Sequence, residues 1–479
     1  MTSARGSTLL RVLGNSAWLM ATESVARLAS LLTTLYLART LAADGVGLVE
    51  SGLALFMVLQ IVSSGGVEAL FTREAARRPH DVPRLAGVAV VVAWIQFVTG
   101  LLVLAVGTVL AGPRDALPAM GALFATAAFV APLGMRFAHV AAERAPIVGV
   151  GVCLGYLAYL GSCLVAVRGP EDAMRVGWCW IAGLVVRTSV LFGVFLRRHG
   201  PPIVQLRGLG GWLRRTATVG IGSGARGLQL SIDILVLGLV AAPVEVARYA
   251  LAAKLPLFLA SFATFLYIAL FPTLARAVAA GERARLAAMQ ATALDAVLGV
   301  AVTGAVALGS VAEPIVVLLF SERFRVAAPL LAILLWRVPL LAAGGALRTV
   351  LWAHDPARDA RVATTVLVVT LTGLPVAAWH GAAPTAWWML ATDGLAVLLY
   401  AGAAETPILA MFPGAMVGRL AGGLGLAAGL VALVPRDAPA LGAVAAALGA
   451  WAVAALVADL PHVRRLAHEI GMGRGRRDP

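Results

Sequence analysis

The sequence predicts an all-α, polytopic integral membrane protein with about fourteen transmembrane helices. Two observations carry this. Of 479 residues, 60% are hydrophobic and only 13% are charged, against about 25% charged in soluble globular proteins. The apolar residues also gather into runs of about 20 or more, the length that crosses a bilayer core. A chain this long could make about three soluble domains, but so few charges cannot clothe them in water.

The first run, 14–38, follows Arg5 and Arg11. It outlasts the short apolar core of a signal peptide and carries Glu23 and Arg27, so it reads as a retained first helix. Further spans are expected at 46–66, 85–111, 117–138, 146–167 and 174–196. A basic stretch follows from Arg197 to Arg215. The remaining spans are expected at 216–240, 246–272, 286–311, 326–352, 361–380, 384–404, 408–433 and 439–460. This gives a six-helix lobe (1–196), a basic cytoplasmic linker (197–215) and a second six-helix lobe (216–404). Two additional helices (405–460) and a basic cytoplasmic tail (461–479) complete the chain.

The net charge is +14, and Lys254 is the only lysine. The arginines sit in short loops between apolar runs. That pattern suits anionic lipid headgroups and topology signals, and it argues against nucleic acid as a partner. Only Arg39, Arg114, Arg168, Arg175, Arg248, Arg323, Arg325 and Arg436 fall outside the membrane on the side opposite the N-terminus. The positive-inside rule therefore places both termini in the cytoplasm of a cell inner membrane. Arg474, Arg476 and Arg477 read as an electrostatic lipid anchor. Trp18, Trp178, Trp180, Trp212, Trp352, Trp379, Trp387 and Trp388 lie near expected interfaces, the depth amphipathic rings favour. Cys153, Cys163 and Cys179 have neither metal-ligand nor disulfide spacing and read as small packing residues. His139, His199 and His354 read as isolated loop residues.

The chain repeats weakly at an offset of 199 residues. Ala26 and Arg27 then fall on Ala225 and Arg226, Ser24 on Ser223, and Thr34 on Asp233. Two such halves are a transporter architecture.

Polar residues inside the apolar runs form stripes. Ser16, Glu23, Arg27, Ser30 and Thr34 share one face of the first helix. Ser223, Arg226, Gln229 and Asp233 share one face of the seventh. A charge at the bilayer centre costs roughly 2.5–3.5 kcal/mol on insertion scales, so these faces turn inward to water or to one another. Two readings of Glu23 and Arg27 stand. They are an i, i+4 pair that neutralises itself, or Arg27 and Arg226 face a cavity, where guanidinium forks match phosphate oxygens bidentately. Lys254 either lines the same cavity or snorkels to an interface, and Arg337 poses the same choice. Asp233 is a candidate for ion or proton coupling or a salt-bridge partner of Arg226. Asp295, Arg187 and Asp393 are weaker candidates of the same kind. Glu68, Arg73 and Glu74 read as a helix-end charge network. No phosphate-cradling glycine loop and no HExxH are present, so the chain reads as a non-enzyme without cofactor or metal.

Several stretches resemble the bacterial polysaccharide (O-antigen-type) flippases of the multidrug/oligosaccharidyl-lipid/polysaccharide exporter superfamily. They are Leu37-Ala38-Arg39-Thr40-Leu41 leading to Gly45-Val46-Gly47, Ser64-Gly65-Gly66-Val67-Glu68, and Ile232-Asp233-Ile234-Leu235-Val236-Leu237-Gly238. Tyr249-Ala250-Leu251-Ala252-Ala253-Lys254, Phe271-Pro272 and Glu313-Pro314 follow in the same order. The resemblance implies a two-lobe helical bundle with a cationic cavity, to which Arg27, Arg226, Lys254 and Arg337 would contribute. The implied cargo is a polyprenyl-diphosphate-linked oligosaccharide, carried on undecaprenol, moved by alternating access. It also implies a monomer embedded in membrane lipid, a polysaccharide polymerase as a possible partner, and coupling to Na+ or H+ through Glu23 or Asp233. A peptidoglycan-precursor flippase and a multidrug cation antiporter of the same superfamily are the alternatives.

Overall fold

The computed structural model describes residues 2–111, 117–404, 425 and 439–453, and among these there are helices and no strands. The chain divides into two compact units, Met1–Ala247 and Arg248–Pro479.

The first unit contains α1 (Thr2–Thr40), α2 (Ala43–Ser64), α3 (Val67–Arg77), α4 (Val82–Ala111) and α5 (Leu117–Val130). It continues with α6 (Arg136–Ala141), α7 (Ala145–Ala166), α8 (Ala173–His199), α9 (Leu209–Gln229) and α10 (Ile232–Val240). α7 packs against α8 and α1, while α2 packs against α4, α5 and α10. α11 (Pro243–Ala279) starts in this unit and runs on into the second. There follow α12 (Arg283–Ser310), α13 (Ala312–Phe320), α14 (Ala328–Leu335), α15 (Arg337–His354), α16 (Pro356–Trp379) and α17 (Ala382–Ala403). A last described helix, α18, covers Ala440–Val453. α15 packs on α12 and α17, and α16 on α17. Their core gathers Tyr267, Leu347, Val366 and Tyr400.

The surfaces are inverted relative to a soluble protein. Val103, Val165, Val376 and Trp379 are 63–75% exposed, while Glu50, Asp233, Arg337 and Asp393 are at most 4% exposed. Large apolar surface outside and charge inside suit lipid as the solvent. Ten helical segments among the described residues are long and apolar enough to cross a membrane. The chain is a multi-pass membrane protein.

The repeat noticed in the sequence has a counterpart in the helix ends. Shifted by 199 residues, the end of α1 and the start of α2 fall within a residue of the end of α10 and the start of α11.

Three expected spans are interrupted. The span 117–138 breaks at 131–135, where Pro132 cannot supply an amide. The span 326–352 breaks at Trp336, because Pro339 has no N–H for the Leu335 carbonyl. The span 216–240 breaks at Leu230 and Ser231. α3 and α13 were not expected as helices: α3 is too polar and α13, at nine residues, too short for a membrane ruler. Within 197–215, the stretch 200–208 lies between α8 and α9. The expected span 408–433 lies outside the described residues except for Gly425, as do the tail arginines.

Candidate functional site

A cavity of about 340 Å³ opens inside the first unit. Its walls come from α1 (Glu23), α2 (Gln60, Ser63, Ser64), α3 (Glu68), α7 (Tyr156), α8 (Arg187) and the first residue of α6 (Arg136). A smaller hollow of about 40 Å³ shares Gln60, Tyr156 and Arg187 with it and continues to Trp180.

Close helix packing builds these walls. A Cβ on Gly149 of α7 would lie 2.2 Å from Thr22 Oγ1 of α1. A Cβ on Gly155 would lie 3.0 Å from the Gly183 carbonyl oxygen and 2.8 Å from Arg187 Cβ, and one on Gly183 would lie 2.7 Å from the Gly155 carbonyl oxygen. Small residues at a crossing let membrane helices approach backbone to backbone. Here they bring α7 and α8 together directly beneath the Arg187 side chain. Arg136 is aimed differently. Met135 takes a left-handed conformation (φ 49°), which breaks the helix and restarts it at Arg136. His139 is not on a loop: it is buried in α6 and its Nε2 donates to the Leu191 carbonyl of α8 at 2.9 Å.

The charges are partly matched. Arg27 Nη2 donates to Glu23 Oε1 at 3.3 Å, so the i, i+4 pair read from the sequence is present. Arg27 Nε is enclosed and has no hydrogen-bond partner among the described residues. Arg136 pairs with Glu68 at 3.2 Å. Arg187 lies within the field of Arg136, Glu68 and Glu23, yet among the described residues it makes no ion pair within 4.0 Å. Each carboxylate of the lining therefore has an arginine partner, Glu23 through Arg27 on the next turn of α1 and Glu68 through Arg136, while Arg187 has no such pair among the described residues.

An aromatic cluster backs that cation. Trp180 is 8% exposed and meets Tyr159 (4.9 Å), Phe56 (5.1 Å), Tyr156 (6.0 Å) and Phe124 (6.2 Å). Its indole N–H is enclosed without a partner among the described residues.

The other expected site residues lie on further helices of the two units. Arg226 lies on α9 of the first unit, and its Nη1 donates to Gln229 Oε1 at 3.4 Å. Asp233 is buried at the start of α10, where its Oδ1 accepts from the Ile234 amide at 2.9 Å. Lys254 is half-buried on α11 in the second unit. Arg337, also in the second unit, is 1% exposed and its Nε donates to Asp393 Oδ2 at 2.7 Å. The charge network at the end of the second expected span is present: Arg215 of α9 reaches Glu74 of α3 at 2.7 Å, and Arg78 approaches the same carboxylate at 3.9 Å. Gln60, Arg136 and Tyr156 were not singled out in the sequence. A charge in an apolar run is visible there, whereas a glutamine, a helix-end arginine or a tyrosine resembles ordinary membrane-helix content.

Known proteins resemble this chain in fold. "Lipid II flippase MurJ, inward closed conformation" aligns with a TM-score of 0.71 at 10% identity, over 92% of this chain and 98% of that one. A MOP superfamily transporter from Pyrococcus furiosus aligns with a TM-score of 0.54 at 17% identity, over 84% and 96%. A point mutant of the Vibrio cholerae MATE transporter VcmN gives 0.51 at 15% identity, over 84% and 99%. No curated protein matches the sequence. A family model described as "Polysaccharide biosynthesis protein" matches residues 12–278, more than half of the chain. With the fold of the MOP superfamily transporters and that match across its first unit, the chain belongs to the polysaccharide biosynthesis protein family.

Proposed function

We propose that this protein is a flippase. It turns undecaprenyl-diphosphate-linked oligosaccharide from the cytoplasmic to the outer leaflet of the cell membrane, for cell-surface polysaccharide assembly. Both termini lie in the cytoplasm, a monomer suffices, and a polysaccharide polymerase consumes the product. The observation that supports this reading is Arg27. Its guanidinium spends one Nη on Glu23 and keeps an enclosed Nε–H that no described residue accepts. Unpaired N–H groups away from water are costly, and a diphosphate oxygen is the acceptor that a guanidinium fork fits best. Arg226, at the equivalent place in the repeat, supplies a second guanidinium in the same unit. Lys254 and Arg337 are the further cations of the reading, and alternating access is the mechanism.

Glu23 serves as a coupling group for Na+ or H+, because neutralising it would release Arg27 to the cargo. Asp233 is the second coupling candidate. If Glu23→Gln and Asp233→Asn both leave transport and its ion dependence unchanged, the coupling role is lost.

The deciding experiment is native mass spectrometry of the purified protein with undecaprenyl-diphosphate lipids and with cationic dyes. Selective retention of the diphosphate lipid, weakened by Arg27→Ala and by Arg226→Ala, is the expected result. Retention of the dyes with no effect of either substitution would move the chain to the multidrug antiporters. Retention only of lipids bearing a peptide stem would move it to the peptidoglycan-precursor flippases.

A further inference from the structure

We propose that the cavity inside the first unit is a subsite for one anionic sugar, a polyol carrying a single carboxylate or phosphoryl group, with Arg187 as its anion ligand. This deepens the flippase reading and rests on it for the place of that sugar in the cargo. Three observations carry it.

The first is size. At about 340 Å³ the cavity sits at the lower end of ligand-pocket volumes, roughly 300–1,000 Å³. It holds the equivalent of on the order of ten waters at about 30 Å³ each. That space takes one pyranose.

The second is charge. Glu23 is matched by Arg27 and Glu68 by Arg136. Arg187 lines both hollows, and no carboxylate among the described residues comes within 4.0 Å of it. A guanidinium in a polar cavity, walled by apolar helices and with no carboxylate among the described residues in ion-pair contact, selects an anion, and its fork suits a carboxylate or phosphoryl group.

The third is the rest of the lining. Glu23, Glu68, Gln60 and Tyr156 are acceptors and donors for hydroxyl groups. The adjoining smaller hollow, which shares Gln60, Tyr156 and Arg187, adds the flat apolar faces of the Trp180 cluster and an enclosed indole N–H without a partner among the described residues. Carboxylates, an amide and aromatic rings around one arginine make a lining for a polyol with one negative charge. A simple anion would leave most of these groups unused.

The test uses the purified full chain in detergent with soluble probes: glucuronate, glucose 1-phosphate, glucose and inorganic phosphate. Tryptophan fluorescence reports binding, and Trp180→Phe identifies the part of the signal that arises at the cavity. Glucuronate or glucose 1-phosphate is expected to bind at least about tenfold tighter than glucose. Arg187→Gln is expected to erase that preference while leaving the weak binding of glucose in place, and Arg187→Lys to retain part of it. Thermal unfolding of each variant shows that it is folded, and if Arg187→Gln does not fold, Arg187→Lys carries the comparison. The proposal is overturned if glucose binds as tightly as the acidic sugars or if folded wild-type protein binds none of them. It is overturned equally if the preference survives in folded Arg187 variants, or if inorganic phosphate matches glucose 1-phosphate. The cargo assay above reads the lipid diphosphate alone. Lipid retention without acidic-sugar preference therefore removes the subsite and keeps the flippase, and the reverse result removes the flippase and keeps the subsite.

Discussion

The ion pair between Arg337 and Asp393 separates a structural role from a cargo-binding one. Both side chains are 1% exposed and the Nε to Oδ2 distance is 2.7 Å, joining α15 to α17. At that burial no solvent screens the charges. Replacing Asp393 with asparagine takes the charge out of this buried contact with the guanidinium, a change that costs about 3–5 kcal/mol. For a unit of this size that corresponds to a fall in Tm on the order of 10 °C. Replacing both partners, as Arg337→Met with Asp393→Leu, removes the two desolvation costs together and is expected to restore most of the loss. The assay is a thermal melt of single and double variants in detergent, paired with lipid retention. If the pair is only structural, the double variant melts near wild type and keeps its cargo. If Arg337 grips cargo, the double variant is stable and loses it. An Asp393→Asn variant that melts within a couple of degrees of wild type, or a double variant no more stable than the single, would refute the reasoning.

Other perturbations follow from the same geometry. Gly183→Ala pushes a methyl to within 2.7 Å of the Gly155 carbonyl oxygen. Overpacking of this kind costs about 1–3 kcal/mol, and both Tm and any acidic-sugar preference are expected to fall together. Glu74→Gln weakens the contacts from Arg215 and Arg78 to a carboxylate that is only 5% exposed. About 1–3 kcal/mol is expected, with faster amide exchange in α3 and at the start of α9. Asp172 lies between α7 and α8, outside the spans. The amide of Arg168 holds its carboxyl below the usual range, aided by the amide of Gly169 and by Arg175 and opposed by partial desolvation. A lowered pKa stabilises the folded turn above the unfolded value of about 3.9 and loses that contribution as pH falls through the folded value. The protection factors of the amides at 168–172, exchange rates corrected for the intrinsic pH dependence of exchange, are therefore expected to be flat from neutral pH down to the carboxylate range and to fall below it. In Asp172→Asn that acid step should vanish.

Much of the fold was legible because a bilayer imposes one coarse rule, a run of about 20 apolar residues. α2, α4, α7, α8, α16 and α17 follow it closely. α3 escaped because Glu68, Arg73, Glu74 and Arg77 make it amphipathic. α13 escaped because nine residues fall short of the ruler. At the site, Glu23 and Arg27 were visible as charges four residues apart in an apolar helix, and their contact is present. Arg187 was visible too, but nothing in its neighbours revealed that it would stand beside Tyr156 and Trp180. That placement depends on the crossing of α7 and α8 at Gly155 and Gly183, and a crossing is a property of two segments that neither spells out alone. The ring cluster around Trp180 was hidden for a related reason: an aromatic residue near the end of an apolar run looks the same whether or not other helices bring rings against it.

The break at Met135 has a consequence for how this protein tolerates changes in chain length. A continuous helix transmits an insertion faithfully, turning everything downstream by about 100° for each added residue. α8 runs unbroken from Ala173 to His199, so a residue gained between its start and Arg187 swings that guanidinium off the cavity. Arg136 is protected from such propagation. The turn at 131–134 and the left-handed Met135 stand between α5 and α6, and they can absorb a change in α5 before it reaches the arginine. Two cations on one wall thus answer to different rules. Length is free to drift ahead of Arg136, while ahead of Arg187 it is fixed residue by residue.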